Sequence, residues 1–218
     1  MASYDNPERG NLEKQWLKSK SSLVGVDEVG RGCIAGPVFA ACVAIDYDEL
    51  FALPDKKRAL IRDSKTLSAK QREEIAPIIK AIATESYIAM VSVQKIEEYG
   101  IRDASLLAMQ RAISLCQKPY DVVMVDGRDK IPEYMGKQLS VIGGDNLAYC
   151  IAAASILAKI SRDRYMQKAS EKFPEYQFEK HVGYGTKAHM EALATHGACP
   201  LHRKTFAPVR RALSHSKS

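Results

Sequence analysis

Apolar residues gather in five short runs, 22–27, 37–45, 86–93, 121–125 and 138–142, each bounded by glycine, proline or charge. Their length and content of valine and isoleucine predict strands. The first two are separated only by a segment holding Gly30, Gly32 and Gly36, too short for a crossover, so they pair as an antiparallel hairpin. Between the second and third runs, Ser68-Ala69-Lys70-Gln71 reads as a capping box opening a helix, with Pro77 inside it predicting a kink or a late start. Leu107, Ala108, Ala112, Ile113 and Leu115 recur near helical spacing over 104–116, where Lys118-Pro119 stops the pattern. The clearest helix spans 146–169, with Ala148, Ile151, Ala152, Ser155, Ile156, Lys159 and Asp163 on related faces. A glycine-flanked turn at 183–186 leads into a shorter helix over 187–196, ended by Gly197. Helices separating the later strands predict parallel pairing, hence an α/β fold with a mixed five-stranded sheet and helices on its faces. The whole chain is expected to form one catalytic domain: a core over about 20–170, a small C-terminal helical region over about 171–212 and a frayed tail over 213–218.

Three of these strands run into acids: Asp27-Glu28 after the first, Asp126 after the fourth, and Asp145 after Gly143-Gly144. Carboxylates at the end of a buried strand need a partner, since an uncompensated charge beside a core costs several kcal/mol by rough estimate. Neighbouring strand ends in a twisted α/β sheet converge, and an oxygen-only donor set suits magnesium or manganese better than zinc. Two such ions about 4 Å apart would clamp the attacking and leaving oxygens of a phosphoryl displacement. Asp163 shares an azimuth with Asp145, but on a continuous helix the two would stand about 27 Å apart. Asp145, next to a strand end, is therefore taken as the ligand, and Asp163 as a salt-bridge partner of nearby arginines. Successive strand residues face opposite ways, so Asp27 and Glu28 can serve one site only if the strand ends at Glu28 and the glycine turn redirects the backbone.

Composition narrows the setting. The 218 residues are 46% hydrophobic and 27% charged, enough for one good core. No apolar run of about 18 residues exists and residues 1–7 lack a signal pattern, so a cytoplasmic protein with no membrane partner is expected. Lysine and arginine number 32 against 26 acids, a net charge of +6, and they cluster at 55–58, 63–65, 159–164 and 203–211. A basic rim around an acidic centre points to a polyanionic substrate. The five cysteines form no C-x-x-C pair and read as free thiols, and the five histidines share no metal-ligand spacing. Ser64 and Ser155 lack a nucleophile elbow and read as caps or phosphate contacts. Lys65, Lys159 and Lys187 are candidate phosphate contacts beside the acids, and Arg31, with its planar fork, is a stronger one.

The stretch Val26-Asp27-Glu28-Val29-Gly30-Arg31-Gly32, followed by Ala35-Gly36-Pro37-Val38, resembles the opening motif of the type 2 ribonucleases H, in particular the bacterial ribonuclease HII family. Further matches follow in order: Asp63-Ser64-Lys65, Val125-Asp126-Gly127, Gly144-Asp145, the alanine-rich helix 152–159 with Arg162-Asp163, Gly183-Tyr184-Gly185-Thr186-Lys187 with His189, and Pro200-Leu201-His202-Arg203. The resemblance covers roughly 22–211 and implies a ribonuclease H-like fold. It implies magnesium- or manganese-dependent cleavage on the 5′ side of a ribonucleotide, in RNA/DNA hybrids and in DNA containing ribonucleotides, leaving 3′-hydroxyl and 5′-phosphate ends. It also implies a role in ribonucleotide and RNA-primer removal. By the same similarity Asp27, Glu28, Asp126 and Asp145 are the metal carboxylates. Gly30, Arg31 and Gly32 approach the 2′-hydroxyl through their backbone, and Tyr184 stacks at the RNA-to-DNA junction. A monomer is expected, with a replication or repair partner reached through the tail. Val29 and Cys33 depart from the commoner alanine and proline, as does the sequence 146–150, and none of these changes removes a ligand.

Overall fold

The computed structural model describes residues 8–215. Five strands form one mixed sheet: β1 (Leu23–Val29), β2 (Val38–Ile45), β3 (Ala83–Val91), β4 (Val122–Asp126) and β5 (Gln138–Val141), in the order β3-β2-β1-β4-β5. β1, β2 and β3 pair antiparallel, whereas β4 and β5 add in parallel on the other side of β1. The predicted meander with parallel additions is thus the observed topology.

The described helices are α1 (Asn11–Leu17), α2 (Tyr47–Ala52), α3 (Asp55–Arg58), α4 (Ala69–Ile82), α5 (Val93–Ile113), α6 (Gly144–Leu147), α7 (Tyr149–Lys172), α8 (Phe178–His181), α9 (Lys187–His196) and α10 (Ala207–His215). Period-two alternation divides the sheet between them. Leu23, Ala41, Val43 and Met124 face a core shared with α4 and α7, while Val24, Val26, Val38, Ala40 and Val125 face α5. The alanines of α7 let its backbone settle on β1, so closely that a methyl at Gly25 would stand 2.3 Å from the Cys150 carbonyl carbon.

Several boundaries differ from the sequence reading, each for a local reason. The helix expected from residue 146 is two: α6 is a single turn, Ala148 is extended, and α7 begins at Tyr149. Asp145 is therefore not on the same helix as Asp163, and the continuous-helix argument for separating them falls away. α4 keeps its capping box, with Ser68 Oγ accepting from Gln71 N–H, and runs on through Pro77. Proline there is exposed, and Glu73, whose carbonyl loses a donor, is exposed as well, so water can replace the missing bond. The helix expected over 104–116 starts at Val93, capped by Ser92 and interrupted at Gly100. β1 does not stop at Glu28, since Glu28 and Val29 still pair with Ala40 and Phe39 of β2. The expected requirement that it end there is overturned, because the ladder to β4 stops at Val26 and Glu28, past that end, still acts electrostatically on Asp27 and Asp126. In place of the frayed tail from 213, α10 continues to His215; residues 216–218 lie outside the described part. Among the described residues no helix is long and apolar enough to cross a membrane.

Candidate active site

The parallel register decides what meets at the sheet's end. Val26 pairs with Val125, so the next residues, Asp27 and Asp126, stand side by side where β4 stops. Asp126 pairs with Val141 of β5, and the chain then turns through Gly143 into α6, whose first amide, Gly144 N–H, donates to Asp126 Oδ1 at 2.7 Å. That bond seats Asp145 beside the other two.

Asp27 points to the α7 side of the sheet and is 4% exposed. Burial pushes its carboxyl well above the usual range, and Glu28, Asp126 and Asp145 push it further, while a hydrogen bond from Ser155 pulls it back. Glu28 also lies high, chiefly through burial, held down in part by Arg31, whose guanidinium donates to Oε1 at 3.1 Å. Asp145 is pushed up to about 6 by burial and by the nearby Asp63 and Asp126. Lys65 faces this group: burial acts to lower its pKa, but Asp63, Asp145, Asp27 and Asp126 outweigh it and hold the ammonium charged. Four carboxylates thus share one strand-end region with too few cations. The donors are all oxygen, which fits a hard divalent ion. Among the described residues no three His, Cys, Asp or Glu side chains enclose an ion by themselves, so water and substrate oxygens would complete its shell.

Asp163 lies outside this group, accepting from Lys159 at 2.6 Å and from Arg72 at 3.4 Å. Arg72 also donates to the carbonyls of Ser64 and Leu67, so Asp163 anchors the loop that presents Asp63 and Lys65. Asp63 itself was legible only as part of a motif; its proximity to Asp145 depends on that anchoring. Two expectations change. Ser64 and Ser155 are buried and bonded to each other at 3.0 Å, and Ser155 also hydrogen-bonds Asp27, so neither hydroxyl lies on the surface that the sequence reading gave it. Lys159 is largely covered and spent on Asp163. Lys187, by contrast, is 91% exposed at the start of α9, 3.8 Å from Glu191.

The glycine turn following β1 is gripped from below. Gly30 has φ +98°, and a Cβ there would stand 2.3 Å from Arg162 Nε; at Gly32 the nearest atom would be Cε1 of Tyr184, 3.9 Å away. Gly32 and Arg31 are exposed, and Tyr184 is half-exposed beside them. Cys33 is buried under the turn, its thiol pushed up by burial, which argues against reactivity.

Behind Tyr184 stand three histidines that the sequence offered only as unspaced singles. His181 and His189 stack with centroids 4.3 Å apart. The hydrogen bonds fix their tautomers. Cys199 N–H donates to His202 Nδ1, so His202 Nε2 carries the proton and donates to His189 Nε2 at 3.1 Å; His189 Nδ1–H then donates to the Tyr184 carbonyl at 2.8 Å. Burial lowers both His189 and His202 to about 4, keeping the chain neutral.

Residues 24–209 match the family model for ribonuclease HII. The chain is 45% identical over 195 residues to a ribonuclease HII of Endomicrobium trichonymphae, covering 89% of this chain and 90% of that one. It is 46% identical to that of Idiomarina loihiensis, covering 88% and 99%. Among solved structures, ribonuclease H2 from Pyrococcus horikoshii OT3 superposes with a TM-score of 0.75 at 24% identity, covering 90% of this chain and 99% of that one. The RNase HII of Archaeoglobus fulgidus, solved in complex with PCNA, gives 0.68 at 27% identity, covering 85% and 95%. Bst-RNase HIII, in complex with Mn2+, gives 0.70 at 20% identity, covering 90% and 70%. Those last two figures of likeness concern the fold, as does the first; the family rests on the full-length sequence matches, by which this chain belongs to the ribonuclease HII family and is an endoribonuclease of the ribonuclease H type.

Proposed function

We propose that the enzyme cuts the phosphodiester on the 5′ side of a ribonucleotide, both in RNA/DNA hybrids and at single ribonucleotides within duplex DNA, leaving 3′-hydroxyl and 5′-phosphate ends. The observation that carries this reading is the meeting of Asp27, Glu28, Asp126 and Asp145, mutually repelling and under-compensated, beside an exposed glycine turn. These four would hold one or two magnesium or manganese ions, with Asp27 the most deeply buried of the ligands. When bound, such ions neutralise the phosphate and supply an activated water.

The chain's own residues do the rest. Glu28 N–H donates to Asp27 Oδ1 at 2.7 Å and Ser155 bonds the same carboxylate, while Gly144 N–H donates to Asp126 Oδ1, so both carboxylates are oriented by hydrogen bonds before an ion binds. The Arg31 and Gly32 backbone meets the ribose, whose 2′-hydroxyl distinguishes RNA from DNA. Tyr184 stacks on the adjacent sugar or base, a contact worth about 1 to 3 kcal/mol per base. Lys65 and Lys187 hold phosphates along the duplex, and removal of misinserted ribonucleotides and RNA primers is the process this chemistry serves. A sliding clamp reached through the C-terminal tail belongs to the same reading, with the archaeal PCNA complex as its precedent.

The test is a DNA duplex with one ribonucleotide, incubated with enzyme and magnesium. A single cut 5′ of the ribonucleotide, with a 5′-phosphate on the product, is expected; cleavage confined to long hybrids, or none, overturns the assignment of substrate.

A further inference from the structure

Two arginines beneath the glycine turn, Arg162 and Arg203, are fully buried, and among the described residues neither forms an ion pair. A buried cation without an anion is costly unless every donor is used. Here each guanidinium collects three backbone carbonyls. Arg162 donates to Pro37 at 3.1 Å, Val182 at 2.7 Å and Ala35 at 3.0 Å. Arg203 donates to Gly36 at 2.9 Å, Arg31 at 3.0 Å and Gly30 at 2.7 Å. The two sets do not overlap, and of the two arginines Arg203 is the one that bonds the exposed part of the turn, where the Gly30 carbonyl also accepts from Cys33 N–H at 3.4 Å.

What Arg203 does there follows from peptide geometry. In a planar trans peptide the C=O and the following N–H point in opposite directions. Drawing the Gly30 carbonyl inward turns the Arg31 N–H outward, and drawing the Arg31 carbonyl inward turns the Gly32 N–H outward. Both residues are exposed, and neither amide is hydrogen-bonded within the described part of the chain. Two consecutive donors therefore project from the surface next to Tyr184, with a fixed positive charge behind them.

We propose that Arg203 is a positioning residue for ribose recognition: by holding the carbonyls of Gly30 and Arg31 inside the fold, it presents the Arg31 and Gly32 amides as a preorganised pair of donors to the ribose and its phosphate. The inference rests on the reading of this turn given above and adds the residue that aims it. Arg203 touches no substrate; its side chain acts only through the turn.

The experiment measures preference: the affinity for a duplex with one ribonucleotide relative to the same all-DNA duplex, by fluorescence anisotropy with calcium in place of magnesium. Arg203→Lys keeps the charge but replaces the planar fork, whose three nitrogens each meet a different carbonyl, by a single nitrogen that cannot occupy those three positions. It is expected to lower the preference at least tenfold while affinity for the all-DNA duplex stays within twofold. Arg162→Lys, a change at an equally buried residue with as many carbonyls, is the control: its melting temperature falls comparably and its preference stays near the wild-type value. If both variants lose preference together, Arg203 is merely structural and the proposal is overturned, as it is if a folded Arg203→Lys keeps full preference. Should Arg203→Lys not fold, Phe206→Leu, which removes the ring 5.1 Å from the Arg203 guanidinium carbon, takes its place, with a two- to threefold loss expected and no loss overturning the proposal. If the wild-type enzyme itself shows no preference, the reading of the turn fails first, and that result is seen before any variant is made.

Discussion

Two groups of ionisable residues lie on either side of the Gly30 turn, and they are built on opposite rules. At the sheet's end, Asp27, Glu28, Asp126 and Asp145 repel one another, with Lys65 and Arg31 the cations that answer them among the described residues. Behind the turn, Arg162, Arg203, His181, His189 and His202 are buried to a similar degree, yet each nitrogen with a described bond has a partner of the right kind. The first group lacks a component that a ligand can bring. The second is complete and serves to hold backbone still. A buried polar network is rigid when fully satisfied, whereas an unsatisfied one stays costly until a partner arrives.

The largest expected effect breaks the incomplete group. Asp126→Asn keeps the oxygen that accepts from Gly144 N–H and removes one negative charge. If the carboxylate contributes about 3 kcal/mol to the transition state, cleavage falls roughly a hundredfold or more. The metal-free protein should at the same time melt no lower than wild type, because a repulsion has been relieved. A rate near wild type in a duplex-nicking assay, or a clear drop in melting temperature, would place Asp126 among structural residues.

Next come the two glycines, which divide between the groups although the sequence shows them as equals. Gly30→Ala puts a methyl at positive φ and 2.3 Å from Arg162 Nε, so a loss of about 2 kcal/mol or more is expected in denaturant unfolding. Gly32→Ala meets nothing closer than 3.9 Å inside the protein. Its stability should change by less than about 0.5 kcal/mol, while affinity for a ribonucleotide-containing duplex should drop if the sugar is met by this turn as proposed, since the methyl would project from its exposed side. Equal stabilities for the two variants would erase the distinction drawn here.

That pair also shows what could be read from the sequence and what could not. Strand ends, the glycine turn and the acids were legible, since each is a local pattern: an apolar run, then a charge, then a glycine. The mixed sheet followed from connection lengths. Asp63 at the carboxylates, the Ser64–Ser155 bond and the six carbonyls held by Arg162 and Arg203 were not, because they join positions as far apart as Gly30 and Arg203. A buried arginine leaves no mark in a sequence; only the chain's path shows that its donors all go to backbone. The split between α6 and α7 was missed for the opposite reason, the helical pattern running unbroken across Ala148 although that residue is extended.

A smaller effect comes from pH, where the groups answer in opposite senses over one window. Asp145 titrates near 6 when folded against 3.8 unfolded, so its contribution is full below 3.8 and is lost as pH rises through about 6. His189 and His202 titrate near 4 against 6.5, so theirs is full above 6.5 and is lost as pH falls through about 4. Millimolar magnesium should therefore raise the melting temperature at about pH 7.5 by roughly 3 °C, after allowance for solvent screening, and hardly at all near pH 5, where protons compete for the carboxylates. His202→Gln should melt lower at neutral pH but lose less between pH 6.5 and 4 than wild type does. A magnesium effect of equal size at both pH values would mean that the ion binds elsewhere.

The smallest effect tests a residue that belongs to neither group. Lys187 is almost fully exposed, and its 3.8 Å approach to Glu191 is a surface pair of the kind worth little. Lys187→Ala should change stability by less than about 0.5 kcal/mol and leave the preference for a ribonucleotide untouched, because among the described residues its ion pair is with Glu191 of its own helix and not with the turn. If it reaches a phosphate, however, the plot of log affinity against log salt should flatten by about one, equally for all-DNA and ribonucleotide duplexes. An unchanged slope returns Lys187 to the solvated surface. A change confined to the ribonucleotide duplex would instead extend the recognition region from the turn across Tyr184 to the start of α9.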